Sequence, residues 1–347
     1  VETLVGGTSA DAVTLATAMT SGSLDLLGGT DRLVLASVAA NTLSVVNIES
    51  VTGGTGSDQV WLANTLSNAV IDLGAGSDQL TLVTGGTATV LNVETVTGGT
   101  GADRVVLGSA VTAGTVDLNG GSDTLVLGKF VNTLTVANVE TLTGEASRDA
   151  VTFTTAVSGT VNLAAGLDSL TLADTGNTAT VSNIETVTGG TNTDLVTLTG
   201  AVTGFTINLG AGADSLTLSS AGNTVTVSNV ETLVGGTSAD AVTLATAMTS
   251  GSLDLLGGTD RLVLASVAAN TLSVVNIESV TGGTGSDQVW LANTLSNAVI
   301  DLGAGSDQLT LVTGGTATVL NVETVTGGTG ADRVVLGSAV TAGTVDL

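Results

Sequence analysis

Asn92-Val93-Glu94-Thr95-Val96-Thr97-Gly98-Gly99-Thr100-Gly101-Ala102-Asp103-Arg104-Val105-Val106-Leu107 joins a carboxylate, a Gly-rich turn and an alternating apolar strand. The pattern returns at Asn47 to Leu62 and at Asn183 to Leu198, and a shorter variant runs from Val70 to Leu82. After each loop the strand has period two. In Asp78-Gln79-Leu80-Thr81-Leu82 both Leu face one side, and Gln79 and Thr81 the other. Val and Thr favour strand, and no stretch has helical periodicity.

The pattern is carried by nested repeats. Residues 1–118 recur letter for letter as 230–347, so one long repeat covers 1–229 and the next begins at Val230. Inside it lie units of about 45–47 residues, each with two Gly-rich loops ending in Asp. The loop aspartates are Asp11, Asp31, Asp58, Asp78, Asp103, Asp123, Asp149, Asp168, Asp194, Asp214, Asp240, Asp260, Asp287, Asp307 and Asp332. Short intervals, as from Asp58 to Asp78, alternate with long ones, as from Asp31 to Asp58. A strand in such a coil pairs with its equivalent one turn away, in parallel, at ~4.8 Å. The expectation is an all-β parallel β-roll or β-helix over 1–347, a single continuous solenoid of about 15 turns of roughly 20–27 residues. The chain begins and ends inside the motif, at Val1 and Leu347, which reads as a piece of a longer protein.

Composition agrees. There are 48 Gly, no Pro, Cys, His or Tyr, and 1% aromatic residues. A core of Val, Leu, Ile and Ala suits a thin section repeated many times. The net charge is −25, with only Arg32, Arg104, Lys129, Arg148, Arg261 and Arg333 basic. No basic surface can be assembled, which argues against nucleic acid and anionic membranes as partners. No apolar run approaches the ~18 residues of a spanning helix, so no membrane insertion is expected.

The acidic residues fall into rows. Beside the loop Asp there is a strand row of Asp25, Asp72, Asp117, Asp254, Asp301 and Asp346. A further row holds Glu2, Glu49, Glu94, Glu140, Glu185, Glu231, Glu278 and Glu323. Only Glu145 and Asp174 lie outside these rows. Stacked one turn apart, like charges repel and need counter-ions. Calcium is the natural one, since it takes six to eight oxygens and accepts backbone carbonyls. Without His or Cys, zinc and copper are poorly served. The expected ligands are the fifteen loop Asp, the loop positions Gly53, Gly54, Gly56, Gly98, Gly99 and Gly101, and the row members Glu49, Glu94, Asp72 and Asp117.

Gly98-Gly99-Thr100-Gly101-Ala102-Asp103-Arg104-Val105 resembles the G-G-x-G-x-D-x-U-x nonapeptide of RTX, or haemolysin-type calcium-binding, repeats, and Gly53 to Val60 and Gly327 to Val334 resemble it too. The resemblance implies a β-roll with calcium between successive loops, export by a type I route, and folding outside the cell or at its surface, as in large bacterial adhesin-like proteins. Complete loops are spaced here as Asp58 is from Asp31 and from Asp78, far wider than a nonapeptide, so one calcium-lined edge is expected. Glu94, a nonapeptide's length before Asp103, stands where a preceding repeat would place its Asp. The loops before Asp149 and Asp168 lose Gly to Glu145, Ala146, Ala164 and Leu167, and are expected to curl least well.

Blander roles are expected elsewhere. Asn47, Asn92, Asn138, Asn183, Asn229, Asn276 and Asn321 read as bend residues that satisfy backbone groups. Arg104, Arg148 and Arg333 read as charge partners of the neighbouring Asp. Trp61 and Trp290 are one site in two copies, packed or on the surface. No Gly-Lys-Ser/Thr follows any loop, and the repeat inserts no irregular loop that could build a cleft. An enzyme is therefore not expected. The leading expectation is a structural calcium-binding rod or filament: an adhesin stalk, a surface-layer component or a matrix component. It would continue covalently or stack end to end with itself. The alternatives are an ice-binding solenoid, using the loop row Thr8, Thr55, Thr100, Thr191, Thr237, Thr284 and Thr329, or the calcium-dependent folding domain of a secreted toxin or enzyme.

Overall fold

The computed structural model describes residues 2–340 and 343–347. These form a parallel β-solenoid, and no helix among them is long and apolar enough to cross a membrane. The chain divides into two compact units, Val1–Ala173 and Asp174–Leu347. The first holds 19 strands, from Thr3–Val5 to Ser169–Thr171; the second holds 19, from Thr178–Ser182 to Thr344–Asp346.

In each unit successive strands alternate between two parallel sheets. In the first, Thr3 pairs with Ser23, Ser23 with Ser44, Ser44 with Trp61 and Trp61 with Thr81. The facing sheet pairs Ala12 with Arg32, Arg32 with Ser50 and Ser50 with Val70. The inward residue of each strand is apolar for the reason the alternation gives. Leu24, Leu33, Leu43, Val51, Val60, Ile71 and Leu80 are all at most 1% exposed. Burying one such side chain is worth about 1.5–3 kcal/mol, so a thin core gains by repetition.

Turn length differs from the sequence expectation. Hydrogen bonds between neighbouring turns span 16 to 22 residues, so the turns are shorter and more numerous than the loop spacing suggests. The short repeat explains the difference. One copy supplies five strands: Ser50–Gly54, Gln59–Leu62, Leu66–Gly74, Gln79–Leu82 and Gly86–Leu91. Five strands at two per turn make two and a half turns. Each repeat therefore begins on the sheet opposite to the one before. Thr95–Thr97 pairs in one sheet of the first unit, and its equivalents Ser50–Gly54 and Thr141–Thr143 pair in the other. The short interval from Asp58 to Asp78 is one turn, and the long one from Asp31 to Asp58 is one and a half.

A carboxylate ladder as the candidate functional site

Because strands within a sheet are parallel, the residues just before them share one edge. Along the edge carrying Asp58 these are Asn41, Asp58, Asp78 and Glu94. They are linked in series. Asp58 Oδ1 accepts both the backbone N–H and the side-chain Nδ2–H of Asn41, each at 2.8 Å. Asp78 Oδ1 accepts the Asp58 N–H at 2.6 Å, and Glu94 Oε2 accepts the Asp78 N–H at 2.8 Å. Each carboxylate thus bonds the amide one turn below, tying adjacent turns through a charge-assisted bond.

The four-rung ladder recurs once per repeat. In the first unit Asn132, Asp149 and Asp168 form the same series, with N–H to Oδ1 distances of 3.1 and 2.7 Å. In the second unit it is complete three times: Asn177–Asp194–Asp214–Glu231, Asn223–Asp240–Asp260–Glu278 and Asn270–Asp287–Asp307–Glu323. Where Gly replaces the Asn, as before Asp103, Asp123 and Glu140, the upper rungs persist. Asp11, Asp31 and Glu49 are likewise joined. Ladders in consecutive repeats lie on opposite edges, which corrects the single acid-lined edge. Glu94 bonds the Asp78 loop and sits on the edge opposite Asp103, so it is not a relic ligand of the Asp103 loop.

The loop carboxylates are inside the molecule. Thirteen of the fifteen are 0–2% exposed; Asp11 and Asp332 are half-buried. One carboxylate oxygen of the third rung is buried without a hydrogen-bond partner at Asp31, Asp78, Asp123, Asp214, Asp260 and Asp307. Second-rung Asp58, Asp149 and Asp287 leave one oxygen in the same state. Asp240 is better served, since its Oδ2 accepts the Gly236 N–H at 2.8 Å. Burial is the main cause that pushes Asp78, Asp260 and Asp307 up to about 6. The amide bond from the rung below opposes it, and the charges of the flanking rungs, Asp58 and Glu94 for Asp78, add to it. Asp103, Asp123, Asp149 and Asp214 shift upward as well, again chiefly through burial.

The other expected residues take supporting positions. Asp72 and Asp117 Oδ1 each close a turn two residues on, at Gly74 and Asn119, and accept the Nδ2–H of Asn92 and Asn138 one turn above, at 2.8 and 2.7 Å. Asn47, Asn92 and Asn138 are bend residues with φ of 56°, 52° and 52°, as expected. Asp25 and Asp254 follow the same rule. Gly53 and Gly98 sit against the carbonyls of Leu73 and Leu118 one turn above, and Gly54 and Gly99 against those of Ser37 and Val83 one turn below. Gly56 and Gly101 lie against the Ala39 and Thr84 carbonyls. These glycines serve close backbone approach. The loops before Asp149 and Asp168 curl fully, contrary to expectation, and both Asp are at most 1% exposed. Ala164 adopts φ 66° there, as Leu27 and Asn119 do at equivalent places with φ of 63° and 60°. The Ala164 N–H donates to Asn162 Oδ1 at 3.0 Å, the turn closure that Leu27 and Asn119 make to Asp25 and Asp117, and this bond helps offset a local cost of ~1–2 kcal/mol. Arg104 and Arg148 are exposed while Asp103 and Asp149 are buried, and the carboxylates of these Asp accept from the Gly99 N–H and from the backbone and side-chain N–H of Asn132.

The first-rung Asn was missed by sequence reasoning. Its signal was present: Asn41, Asn132, Asn177, Asn223 and Asn270 each stand 17 residues before a loop Asp. The loop threonines form no single row, since Thr55 and Thr100 belong to loops on opposite edges. The threonines that do stack lie on a sheet face: Thr95, Thr115, Thr135, Thr152 and Thr171 occupy five consecutive strands.

The buried, unpartnered carboxylate oxygens match a hard cation in donor type. Among the described residues no three acidic side chains gather into one cage. A calcium ion would therefore be held by second- and third-rung Asp and draw the rest of its shell from carbonyls or water. No protein-family model matches the chain, and no curated protein matches it significantly.

Proposed function

We propose that this chain is a structural module, an extracellular or cell-surface spacer of the RTX-like kind, in which calcium neutralises the ladders. One observation carries the reading: most loop carboxylates are spent on joining one turn to the next, and at nine of these rungs, Asp58 and Asp78 among them, the spare oxygen is buried and unpaired. The molecule has placed its charge along its own seams, where a cation or a proton must offset it. Calcium offsets it best at neutral pH, and the millimolar calcium of extracellular modules would couple folding to export. The repeat adds the same ladder every two and a half turns, which serves length and stiffness. Thermal unfolding with 5 mM calcium against EDTA, followed by circular dichroism, tests this. A Tm raised by calcium and not by magnesium is expected. Equal Tm values in all three would remove calcium from the account.

A second reading has its own support in the five-strand threonine column. Hydroxyls and methyls repeating at ~4.8 Å along a sheet face could order water, as an ice-binding surface does. A thermal-hysteresis measurement decides it: hysteresis abolished by Thr135→Lys supports the reading, and none in the wild type ends it.

A further inference from the structure

The repeats agree closely except along one stretch of the first unit. There three consecutive loops on one edge, 128–131, 144–148 and 164–167, leave the pattern together. The first carries Lys129, Phe130 and Val131, the second Arg148, and the third Leu167. Ser147 Oγ donates to the Lys129 carbonyl at 2.9 Å, and a Cβ on Gly166 would lie 2.7 Å from the Ser147 carbonyl, so the three loops are stacked neighbours.

This cluster gathers what the rest of the chain lacks. Lys129 is the sole lysine, and Arg148 is one of five arginines. Phe130 is 42% exposed, Val131 57% and Leu167 73%. The loop is held rigidly from beneath. Asn132, fully buried, donates to the Phe130 carbonyl at 2.7 Å and to Asp149 Oδ1 at 2.8 Å. A fixed aromatic tip beside Lys and Arg, ringed by apolar side chains, is the composition of a binding anchor. Apolar exposure on a pinned loop has no use in packing this unit, whose core lies elsewhere.

We infer that this edge cluster docks laterally on a second copy of the same chain. The choice of occupant follows from charge. Lys129 and Arg148 face outward with only Glu145 beside them as counter-charge. Two such clusters would repel each other, so the contact is heterologous, cluster against a different surface. A second copy offers that surface in the half-exposed Asp72 and Glu94, which share the edge carrying Asp78. Repulsion between two chains of −25 is long-ranged and is screened beyond ~8 Å at physiological salt, whereas the contact itself is not. A heterologous contact builds rings or open arrays rather than two-fold dimers. The inference is independent of calcium.

Sedimentation velocity of the full chain in EDTA and 0.15 M salt tests it, with circular dichroism as a check on folding. Concentration-dependent association is expected, weakened about tenfold or more in both Lys129→Glu/Arg148→Glu and Phe130→Ser/Leu167→Ser, the size typical of losing an anchor. Thr206→Gln, at an exposed position on a sheet of the second unit, should leave it unchanged. Wild type that stays monomeric at its highest soluble concentration overturns the proposal, as does association that both double variants retain. Binding to anionic vesicles without self-association would assign the cluster to a different partner and overturn it too.

Discussion

Asp78→Asn separates the two jobs of a third-rung carboxylate. Asp78 Oδ1 accepts the Asp58 N–H at 2.6 Å, and the Asn oxygen keeps that bond. The variant removes a charge that burial and the neighbours Asp58 and Glu94 have pushed up to about 6 from 3.8. At pH 8 without metal, the ionised group is a net cost. Linkage sets the ceiling at ~1.4 kcal/mol per pKa unit, and screening near the edge reduces it to about 1–2 kcal/mol in all. Asp78→Asn should therefore be more stable than wild type in EDTA at pH 8. A gain of that size raises Tm by roughly 2–8 °C for a unit of this length. The proposed ligation predicts that the sign reverses in calcium, since the variant lacks a carboxylate that would hold the ion. The assay is thermal unfolding in both conditions, with Asp307→Asn as the equivalent site in the second unit. A variant less stable than wild type in EDTA would refute the claim that the third rung is electrostatically strained. One that gains equally in EDTA and calcium would refute ligation there.

Other outcomes follow from the same geometry. Asn41→Ala keeps the backbone N–H bond to Asp58 but removes the Nδ2–H bonds to Asp58 Oδ1 and to the Ala36 and Ala39 carbonyls, and the bond Oδ1 accepts from the Met19 N–H, all in a fully buried place, and should cost about 2–4 kcal/mol in urea unfolding. Without metal, stability should fall as pH rises. The folded-state values of Asp78, Asp260 and Asp307 lie above 3.8, so their contribution is full below pH ~4 and lost as pH passes about 6. Urea midpoints at pH 4.5 and 8 in EDTA measure this, and a higher midpoint at pH 8 would contradict it. Leu80→Ala should cost about 2–5 kcal/mol by cavity formation at a fully buried position. Gly53→Ala should be severely destabilising, since its methyl would overlap the Leu73 carbonyl, whereas Gly28→Ala meets nothing within 4 Å and should be nearly neutral by the same assay.

The parallel coil and its core were legible because alternation and repeat length are local. Leu80 and Leu82 point inward as their spacing from Gln79 and Thr81 requires. The rung residues were legible as rows, but their purpose was not. Asp58 reads as an outward loop ligand until its amide neighbour one turn away is known. The alternation of edges was hidden by treating the stretch from Asp31 to Asp58 as one long turn. Asn41 and Glu49 fill that interval as rungs of opposite edges, and neither has the Gly-rich signature that marks an Asp loop. The tolerance of Ala164 at positive φ was likewise hidden, since propensity sees one residue and not the turn that the Asn162 side chain closes on its amide.

The alternating ladders are the centre of the account, and paired cysteines test them directly in a chain that has none of its own. Ser57 and Ser77 precede rungs of one ladder, and the Ser77 N–H donates to Ser57 Oγ at 3.0 Å. Ala102 precedes Asp103 on the opposite edge. Ser57→Cys/Ser77→Cys should form a disulfide readily under mild oxidation of the folded protein, since neighbouring parallel strands bring the two Cα atoms within bridging range. Ser77→Cys/Ala102→Cys should stay reduced within one chain. Efficient intramolecular bridging between positions 77 and 102 would return all loops to one edge and contradict the arrangement described.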